Sequence, residues 1–277
     1  MVTLDDQELL ARIEEFYDAV PRHGARAEDH GPITLFVREG AGWPFYARPT
    51  LHWTGEARAA DVARVRERQR ELGIPESFEW VAETSPGLRA AVEDAGLAVH
   101  EHPLMVLDAD AWAALPERRP ADSTVRILGP DDPALLTALS VPDLAFAEPG
   151  TGIGVAGLEE LAEKARARAD DGSVERTVER MRDGLATMAA AVENGSAVCS
   201  GQYNRVGDVG EIVGVGTLPA ARRRGLALSV TATLVTEARA QGMEIVFLSA
   251  GDDDVARIYA RLGFRRIGTA LIAEPAA

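Results

Sequence analysis

The feature that most restricts the fold is an internal repeat, because the two halves of the chain resemble each other at an offset of 167 residues. Residues 78–81 fall on residues 245–248, and residues 95–97 fall on residues 262–264. Each half is then predicted to contain a helix, a strand, a short helix ending at a glycine and a further strand. The repeat therefore predicts a duplicated domain, and the length of 277 residues suits two domains.

A mixed-charge stretch with two prolines, residues 108–123, follows a strand-like run and separates the two halves. We predict an N-terminal domain over residues 1–110, a linker over residues 111–123 and a C-terminal domain over residues 124–277. Helical and strand-like periods alternate in both halves, so the fold class is predicted to be α/β with a mixed sheet in each domain.

The pattern of apolar residues predicts individual elements. Predicted helices cover residues 5–19, 59–72, 86–95, 132–140, 158–168, 222–240 and 253–262. Predicted strands cover residues 33–37, 45–48, 78–81, 98–107, 124–127, 185–192, 197–203, 211–217, 244–248 and 264–272. Residues 193–196, which contain Asn194-Gly195, separate two of the alternating runs and predict a β-hairpin.

The excess of acidic residues restricts the partners. The chain has 29 basic and 44 acidic residues, and a net charge of −15 disfavours nucleic acid and anionic membranes. Cys199 is the single cysteine, which excludes an intrachain disulfide and a cysteine-rich zinc site. The first residues lack a basic segment followed by an apolar one, and no apolar run approaches the roughly 18 residues of a membrane span. We therefore expect a cytoplasmic protein.

Two further patterns are predicted to carry no function of their own. All five histidines precede residue 103, and His100 with His102 lacks carboxylates at a ligand spacing, so we predict no metal site. A Ser-His-Asp hydrolase is excluded from the C-terminal half because that half contains no histidine. Residues 152–157 match the dinucleotide pattern GxGxxG, but no strand precedes them, and we interpret them as a loop.

The segment with chemical content is residues 217–227, TLPAARRRGLA, between a predicted strand and an amphipathic helix. Apolar residues recur at every fourth position of that helix, at Leu226, Val230, Leu234 and Ala238. A helix start presents unpaired backbone N–H groups at the positive end of the helix dipole, and three arginines add local positive charge. The segment predicts an anion site, with a solvated basic helix start as the alternative.

These residues resemble the acetyl-CoA signature of the GNAT N-acetyltransferases. The family pattern is Gln or Arg, two residues, Gly, one residue, and Gly or Ala, after a strand and a proline. Its positions are filled here by Pro219, Arg222, Gly225 and Ala227. The family's downstream Asn, Ala, Tyr and Gly-Phe correspond to Asp253, Ala256, Tyr259 and Gly263-Phe264, so that only the Asn departs, to Asp. The resemblance covers residues 124–277.

The resemblance implies two GNAT-like domains, each with a mixed, mostly antiparallel twisted sheet flanked by helices. It implies that backbone amides of residues 223–228 hold the CoA pyrophosphate, while residues 215–217 run along the pantetheine arm. The implied cofactor-binding residues are Val215, Gly216, Thr217, Arg222, Arg223, Arg224, Gly225, Leu226, Ala227, Leu228 and Asp253. Acetyl-CoA is the implied cosubstrate, without a metal.

The implied chemistry is direct attack of a primary amine on the acetyl thioester. An amine with a pKa near 10 is about 99.9% protonated at pH 7, so a base must expose its lone pair. Glu211, eleven residues before Arg222, is the candidate base and could act through a water. Tyr259 is the family-like acid that meets the CoA thiolate. A solvent-exposed strand carboxylate and a packed core tyrosine are the respective structural alternatives.

The N-terminal half is predicted to be a degenerate copy. At the 167-residue offset, Arg222 and Tyr259 fall on Gly55 and Val92, and the signature does not occur in residues 51–61. This half would complete a sheet, cover a substrate cleft or form a homodimer. The predicted function is N-acetylation of a small molecule, a peptide N-terminus or a lysine side chain. The alternative is a non-catalytic regulatory module of the same fold that binds an acyl-CoA or a partner protein.

Overall fold

The computed structural model describes residues 4–40, 42–107, 112 and 124–276. They form two compact units. The N-terminal unit comprises Met1–Met105, Ser249–Ala256 and Arg266–Ala277, and the C-terminal unit comprises Val106–Leu248 and Arg257–Arg265. The predicted linker lies outside the described residues except for Trp112. The domain bounds given above stay a prediction.

The elements are numbered here in chain order. The helices are α1 (Asp6–Arg22), α2 (Ala59–Leu72), α3 (Leu88–Asp94), α4 (Leu135–Ala147), α5 (Leu158–Arg168), α6 (Ser173–Arg182), α7 (Leu226–Ala240) and α8 (Asp253–Ala260). The strands are β1 (Ala25–Asp29), β2 (Ile33–Arg38), β3 (Ala47–Pro49), β4 (Phe78–Val81), β5 (Leu97–Leu107), β6 (Thr124–Leu128), β7 (Ala186–Glu193), β8 (Ser196–Val206), β9 (Val209–Thr217), β10 (Ile245–Ser249) and β11 (Phe264–Pro275).

In the N-terminal unit the sheet order is β1-β2-β3-β4-β11-β5. Antiparallel ladders join β1 to β2, β2 to β3 and β4 to β11, whereas β3 and β4 are parallel and are connected through α2. The core of the unit lies between this sheet and helices α2 and α3. Its fully buried members include Ile33, Leu35, Val62, Val65, Phe78, Trp80 and Val92.

The sheet of the C-terminal unit has the order β6-β7-β8-β9-β10. The first three ladders are antiparallel, and β9 pairs in parallel with β10 through the crossover helix α7. The predicted hairpin is confirmed, since Glu193 pairs with Ser196, and its loop has two residues, Asn194 and Gly195, with positive φ angles of 49° and 85°. The predicted fold class, a mixed sheet flanked by helices in each half, is confirmed as well.

The internal repeat is present in the element bounds. A shift of 167 residues carries the first residues of α2, β4 and β5 onto the first residues of α7, β10 and β11, which are Leu226, Ile245 and Phe264. Each unit therefore has an antiparallel meander that ends in one parallel pair joined by a helix. Strand β1 and helix α6 were missed by the sequence prediction because β1 has no buried residue and α6 is strongly polar.

Helices α4 and α7 cover opposite faces of the C-terminal sheet. The Ser200 hydroxyl donates to the Ala138 carbonyl of α4 at 2.6 Å, whereas a Cβ placed on the next residue, Gly201, would meet the Leu234 side chain of α7. The predicted apolar face of α7 is confirmed, since its four predicted residues are all buried. No described helix is long and apolar enough to cross a membrane.

The contribution of this interface can be tested at Leu234, which is fully buried. We expect Leu234→Ala to lower the free energy of unfolding by about 3 kcal/mol, because the change removes apolar contacts and leaves a cavity. Thr236→Ala on the exposed side of the same helix is the control and should change it by about 0.5 kcal/mol or less. Urea unfolding followed by circular dichroism measures both, and equal effects would contradict the packing described.

Candidate active site

Strands β9 and β10 separate after a short parallel ladder. Val209 pairs with Ile245, and Glu211 with Phe247, and within the described residues no β9–β10 pair follows. Strand β9 continues for six more residues to Thr217, held by β8 on its other side. The β10 side of residues 212–217 is therefore unpaired with its neighbouring strand. Backbone N–H and C=O groups there are available to an extended ligand.

A bulge in β9 accompanies this separation. Ser200 pairs with Gly216 and Gln202 with Val213, so three steps along β9 match two along β8. Gly214, within the bulge, has a positive φ of 63°, a conformation that glycine adopts without steric cost. The close glycines at positions 214 and 216 are the sequence signal for this bulge.

Gly216 lies directly under helix α4. A Cβ on this residue would be 2.9 Å from the Cβ of Ala145 and 3.4 Å from the Cα of Pro142. Because both neighbours are close to backbone, a larger residue would push the helix away from β9. Gly216 thus sets the separation between α4 and the strand on which the pantetheine contact was predicted.

The predicted signature turn connects β9 to α7. A short 3₁₀ turn covers Pro219–Ala221, and positive φ angles of 67° at Arg223 and 78° at Gly225 then direct the chain into the helix. Residues 222–225 are not helical, which corrects the predicted helix start at residue 222. Leu226 is the first residue of α7, because the glycine before it is the N-cap.

The start of α7 has neither a capping side chain nor an acidic residue in its first turn. The amide of Ser229 donates to the Gly225 carbonyl at 3.2 Å, so the preceding first-turn amides have no partner of their own within the helix. Residues 223–225 are exposed at this end. The local structure has the properties of an anion site, namely orphan N–H donors and the positive end of a 15-residue helix.

The side chain of Arg222 binds protein carbonyls. Its guanidinium donates to the carbonyl oxygens of Ala145 at 2.9 Å, Glu148 and Gly152 at 3.2 Å. The first two lie at the C-terminal end of α4, where carbonyls lack helical partners and a cation is favoured. The guanidinium therefore holds the signature turn against α4. The assignment of Arg222 to the cofactor stays a prediction.

The other two arginines differ in their surroundings. Arg224 forms a two-point ion pair with Glu193 of the β7–β8 hairpin, with N–O distances of 2.6 and 3.3 Å. Arg223 is exposed and has no hydrogen bond or ion pair within the described part of the chain. The positive charge of Arg224 is thus offset by Glu193, whereas the positive charge of Arg223 is not offset by an ion pair in the described part of the chain.

The loop over residues 150–157 is tied to the signature turn. The amide of Gly154 donates to the Pro219 carbonyl and the amide of Ala220 to the Ala156 carbonyl, both at 3.0 Å. These residues form no strand, as predicted from the missing strand context of their GxGxxG pattern. Phe146, Ile153 and Val155 are exposed apolar side chains in and just before this loop.

Tyr259 is buried in the C-terminal unit and packs edge-to-face on Phe264, with ring centroids 6.1 Å apart. Burial raises the pKa of the Tyr259 phenol above its usual value, and the thiol of Cys199 adds to the rise. The hydroxyl of Thr217 donates to the Cys199 sulfur at 3.2 Å. The phenol therefore stays protonated at neutral pH and can donate a hydrogen bond.

Among the remaining predicted site residues, Glu211 is half-buried and belongs to the last pair of the parallel ladder with β10. On its other side Glu211 pairs with Asn204 of β8. Residues 215–217 follow on the same strand, and the turn follows them directly. Asp253 is grouped with the N-terminal unit, where its carboxylate lies 3.7 Å from Arg266. The structure thus brings together the β9 and α7 residues along one continuous segment of chain.

No metal centre accompanies these groups in the described ranges. Within residues 4–40, 42–107 and 124–276, no three or more His, Cys, Asp and Glu side chains gather closely enough to hold an ion.

Comparison with known proteins links this geometry to a family. The model of the FR47-like protein family matches residues 199–272, which include the β9 strand, the signature turn and Tyr259. A search of curated proteins finds no match.

Solved structures of similar length share the fold. A GCN5-related N-acetyltransferase from Kribbella flavida is 22% identical, with 97% of this chain and 96% of that one covered and a TM-score of 0.67. A tandem GNAT protein from the clavulanic acid biosynthesis pathway is 17% identical over 88% of this chain and 79% of that one, with a TM-score of 0.55. A putative GNAT-family acetyltransferase from Novosphingobium aromaticivorans is 20% identical over 92% and 93%, with a TM-score of 0.51.

These findings define the class: the chain has the fold of the GCN5-related N-acetyltransferases. Within that class, its C-terminal part is similar to the FR47-like proteins. The resemblance inferred from the arginine-rich turn and the downstream tyrosine is thereby confirmed.

The environment of Cys199 yields a prediction about reactivity. Burial raises the pKa of the Cys199 thiol to about 12, although the hydrogen bond from Thr217 opposes the rise, so the thiol stays protonated at pH 8. We expect no reaction of the folded protein with a disulfide reagent that reacts with thiolates. One thiol per chain should react in urea, which serves as the control. Rapid reaction without urea would contradict the burial.

Proposed function

We propose that the C-terminal unit transfers an acetyl group from acetyl-CoA to a primary amine. The observation that carries this proposal is the uncapped, acid-free start of α7, placed directly after a strand whose β10 side is open. An anionic ligand with an extended arm fits this combination, because its phosphates would accept from amides at the helix start while its arm pairs with strand β9.

For the cofactor, we assign the pyrophosphate to the backbone amides of residues 223–228, with Arg223 as a nearby cation. We assign the pantetheine arm to residues 215–217, where amide groups alternate along an open strand edge. Arg222 would act indirectly, by holding the turn against α4. The solved structures named GNAT or N-acetyltransferase are consistent with acetyl-CoA as cosubstrate.

For the chemistry, we assign Glu211 as the general base and Tyr259 as the group that meets the leaving thiolate. The carboxylate accepts, directly or through a water, the proton that the substrate ammonium must lose before its nitrogen can attack the thioester carbonyl. Since the pKa of Tyr259 is raised, full transfer of its proton to a thiolate with a pKa near 8.5 is uphill by more than about 2 kcal/mol. A hydrogen bond to the developing thiolate is therefore the main contribution expected of Tyr259.

The acceptor is proposed only as a class. An amine is a cation before it reacts, and the net charge of −15 would favour its encounter with the protein. Small molecules, peptide N-termini and lysine side chains all meet this description. We place the reaction in the cytoplasm, and we regard a homodimer as one arrangement open to the N-terminal unit.

A non-catalytic acyl-CoA-binding or partner-binding module is the second candidate. The duplicated architecture favours it, since one of the two halves lacks the signature. The acyl-CoA-binding form of this candidate shares the cofactor site and differs in the roles of Glu211 and Tyr259, whereas the partner-binding form needs no cofactor. Binding experiments and turnover experiments therefore separate the two functions.

The cofactor site can be tested by placing an acidic residue in the first turn of α7, as the corresponding helix α2 has. Position 228 corresponds to Asp61, the acidic residue in the first turn of α2. We expect Leu228→Asp to weaken acetyl-CoA binding by about tenfold or more, because its carboxylate caps the amides and repels phosphate. Leu228→Asn, similar in size and uncharged, is the control and should lose less affinity. Equal Kd values for wild type and Leu228→Asp in calorimetry would refute the site.

The catalytic roles predict a loss of turnover without a loss of cofactor binding. With an acceptor found by screening amines, Glu211→Gln should lower kcat by about 10²-fold or more, since proton removal is lost. Tyr259→Phe should lower kcat while leaving the Kd of acetyl-CoA unchanged. Tyr203→Phe, another buried tyrosine, is the control. Tight acetyl-CoA binding without turnover of any amine would favour the non-catalytic module.

A further inference from the structure

A pocket of about 370 Å³ lies within the N-terminal unit. It is formed by the loop after β3, the loop after β4 and Glu14 of α1. Strands β3 and β4 are the parallel pair of this unit, with a single registered pair, Ala47 and Phe78. The pocket therefore opens at the carboxyl ends of two diverging parallel strands, and its volume lies in the range of small-ligand sites.

At the 167-residue offset, part of the pocket lining corresponds to a segment of the C-terminal unit. Residues 50–57, which include seven of its fifteen lining residues, correspond to residues 217–224, the end of β9 and the signature turn. The electrostatics of the two helix starts are opposite. In α2 the carboxylate of Asp61 accepts from the Arg58 amide at 3.0 Å and pairs with Arg64 at 2.9 Å, whereas the first turn of α7 has no acid. An anion is thus disfavoured at the start of α2.

The lining of the pocket is acidic. It includes the carboxylates of Glu14 and Glu56, and no arginine or lysine among the described residues lines it. The Thr84 hydroxyl donates to a Glu14 carboxylate oxygen at 2.6 Å, which fixes that side chain in the pocket wall. A phosphate or carboxylate ligand would therefore be repelled by Glu14 and Glu56.

Glu14 has the environment of a carboxylate that an added cation would stabilise. Burial raises the pKa of Glu14, and the nearby charge of Glu79 acts in the same direction. The hydrogen bond from Thr84, the charge of Arg48 and the backbone at Val81 oppose the rise but do not cancel it. The guanidinium of Arg48 already pairs with Glu79 and stacks on Tyr17.

Trp53 supplies an aromatic surface to the same pocket. Its amide donates to the Thr50 carbonyl at 3.0 Å, and His52 before it has a positive φ of 62°, which turns the chain sharply. A Cβ on Gly55 would be 2.8 Å from the indole nitrogen, so that glycine is needed for the ring position. The side chain of Trp53 is nevertheless 49% exposed, which leaves ring surface for a ligand.

We propose that this pocket binds a small organic cation, namely an ammonium compound with an apolar or aromatic body. The ammonium group would donate to the Glu14 carboxylate, and the apolar or aromatic body would lie against the Trp53 ring through apolar and ring contacts. Glu56 would add negative charge at the rim. The site is separate from the proposed acetyl-CoA site, and it does not depend on whether the C-terminal unit is catalytic.

Three probes of similar shape test the charge requirement. Phenethylammonium, phenethyl alcohol and phenylacetate share an aromatic ring and carry positive, zero and negative charge. In calorimetry of the full-length protein, we expect the ammonium probe to bind at least about tenfold more tightly than the alcohol, and phenylacetate not to bind. Equal affinity for the ammonium and the alcohol would overturn the proposal. Absence of saturable ammonium binding up to about 10 mM would overturn it equally.

Variants locate the binding. Glu14→Gln keeps an acceptor for Thr84 and removes the charge, so it should weaken phenethylammonium by about tenfold to a hundredfold. Glu15→Gln, at the exposed neighbour of Glu14 that pairs with Arg12, is the matched control and should bind like wild type. Trp53→Phe should retain binding but abolish the ligand-induced change in tryptophan fluorescence. Wild-type affinity in Glu14→Gln would refute the site.

A control excludes the acceptor site as the source of the signal. Glu211→Gln should bind phenethylammonium like wild type, since Glu211 belongs to the C-terminal unit. Loss of ammonium binding in Glu211→Gln but not in Glu14→Gln would assign the signal to the acceptor site and overturn the proposal. Loss of acetyl-CoA binding in the Leu228→Asp variant, by contrast, bears only on the proposed function.

Discussion

The short parallel ladder between β9 and β10 is the constraint on which the candidate active site depends. If the two strands stayed paired to their ends, β9 would have no open edge and its amides would be used by β10. Pairing stops at Glu211 and Phe247, and the bulge at Gly214 bends β9 away. The same segment then leads through Pro219–Ala221 into an uncapped helix. Strand edge and helix start are therefore adjacent by chain connectivity alone.

The two units share the order of strand, helix and parallel strand, but they differ in the side chains at the start of the helix. Helix α2 begins where α7 begins in the repeat, yet Asp61 occupies the position of Leu228. One residue thus places a carboxylate at the start of α2, where it accepts from the Arg58 amide, whereas the first turn of α7 has no acidic residue. The loops of the N-terminal unit still enclose a pocket, but Glu14 and Trp53 line it. Two sites with opposite preferences for charge can arise in this way from one supersecondary unit.

Much of the fold could be predicted from the sequence, because periodicity and turn chemistry are local signals. The bounds of α2, β4 and α5 agree with the prediction, and Asn194-Gly195 specified its hairpin. Side-chain contacts between distant segments could not be predicted. Arg222 on the α4 carbonyls, Gly216 under Ala145 and Glu14 beside Thr84 each join residues at least 70 positions apart. The roles of Glu211 and Tyr259 stay predictions, since their chemistry needs a substrate.

The contacts of Arg222 also bear on which residues the first signature position can accept. Three carbonyl oxygens around one planar guanidinium require several N–H donors in a fixed plane, directed to different acceptors. A glutamine amide is also planar and supplies two such donors, whereas a lysine ammonium is a tetrahedral point charge with a strong demand for water. The choice between Gln and Arg at this position is thus a requirement on donor geometry, and positive charge alone would not satisfy it.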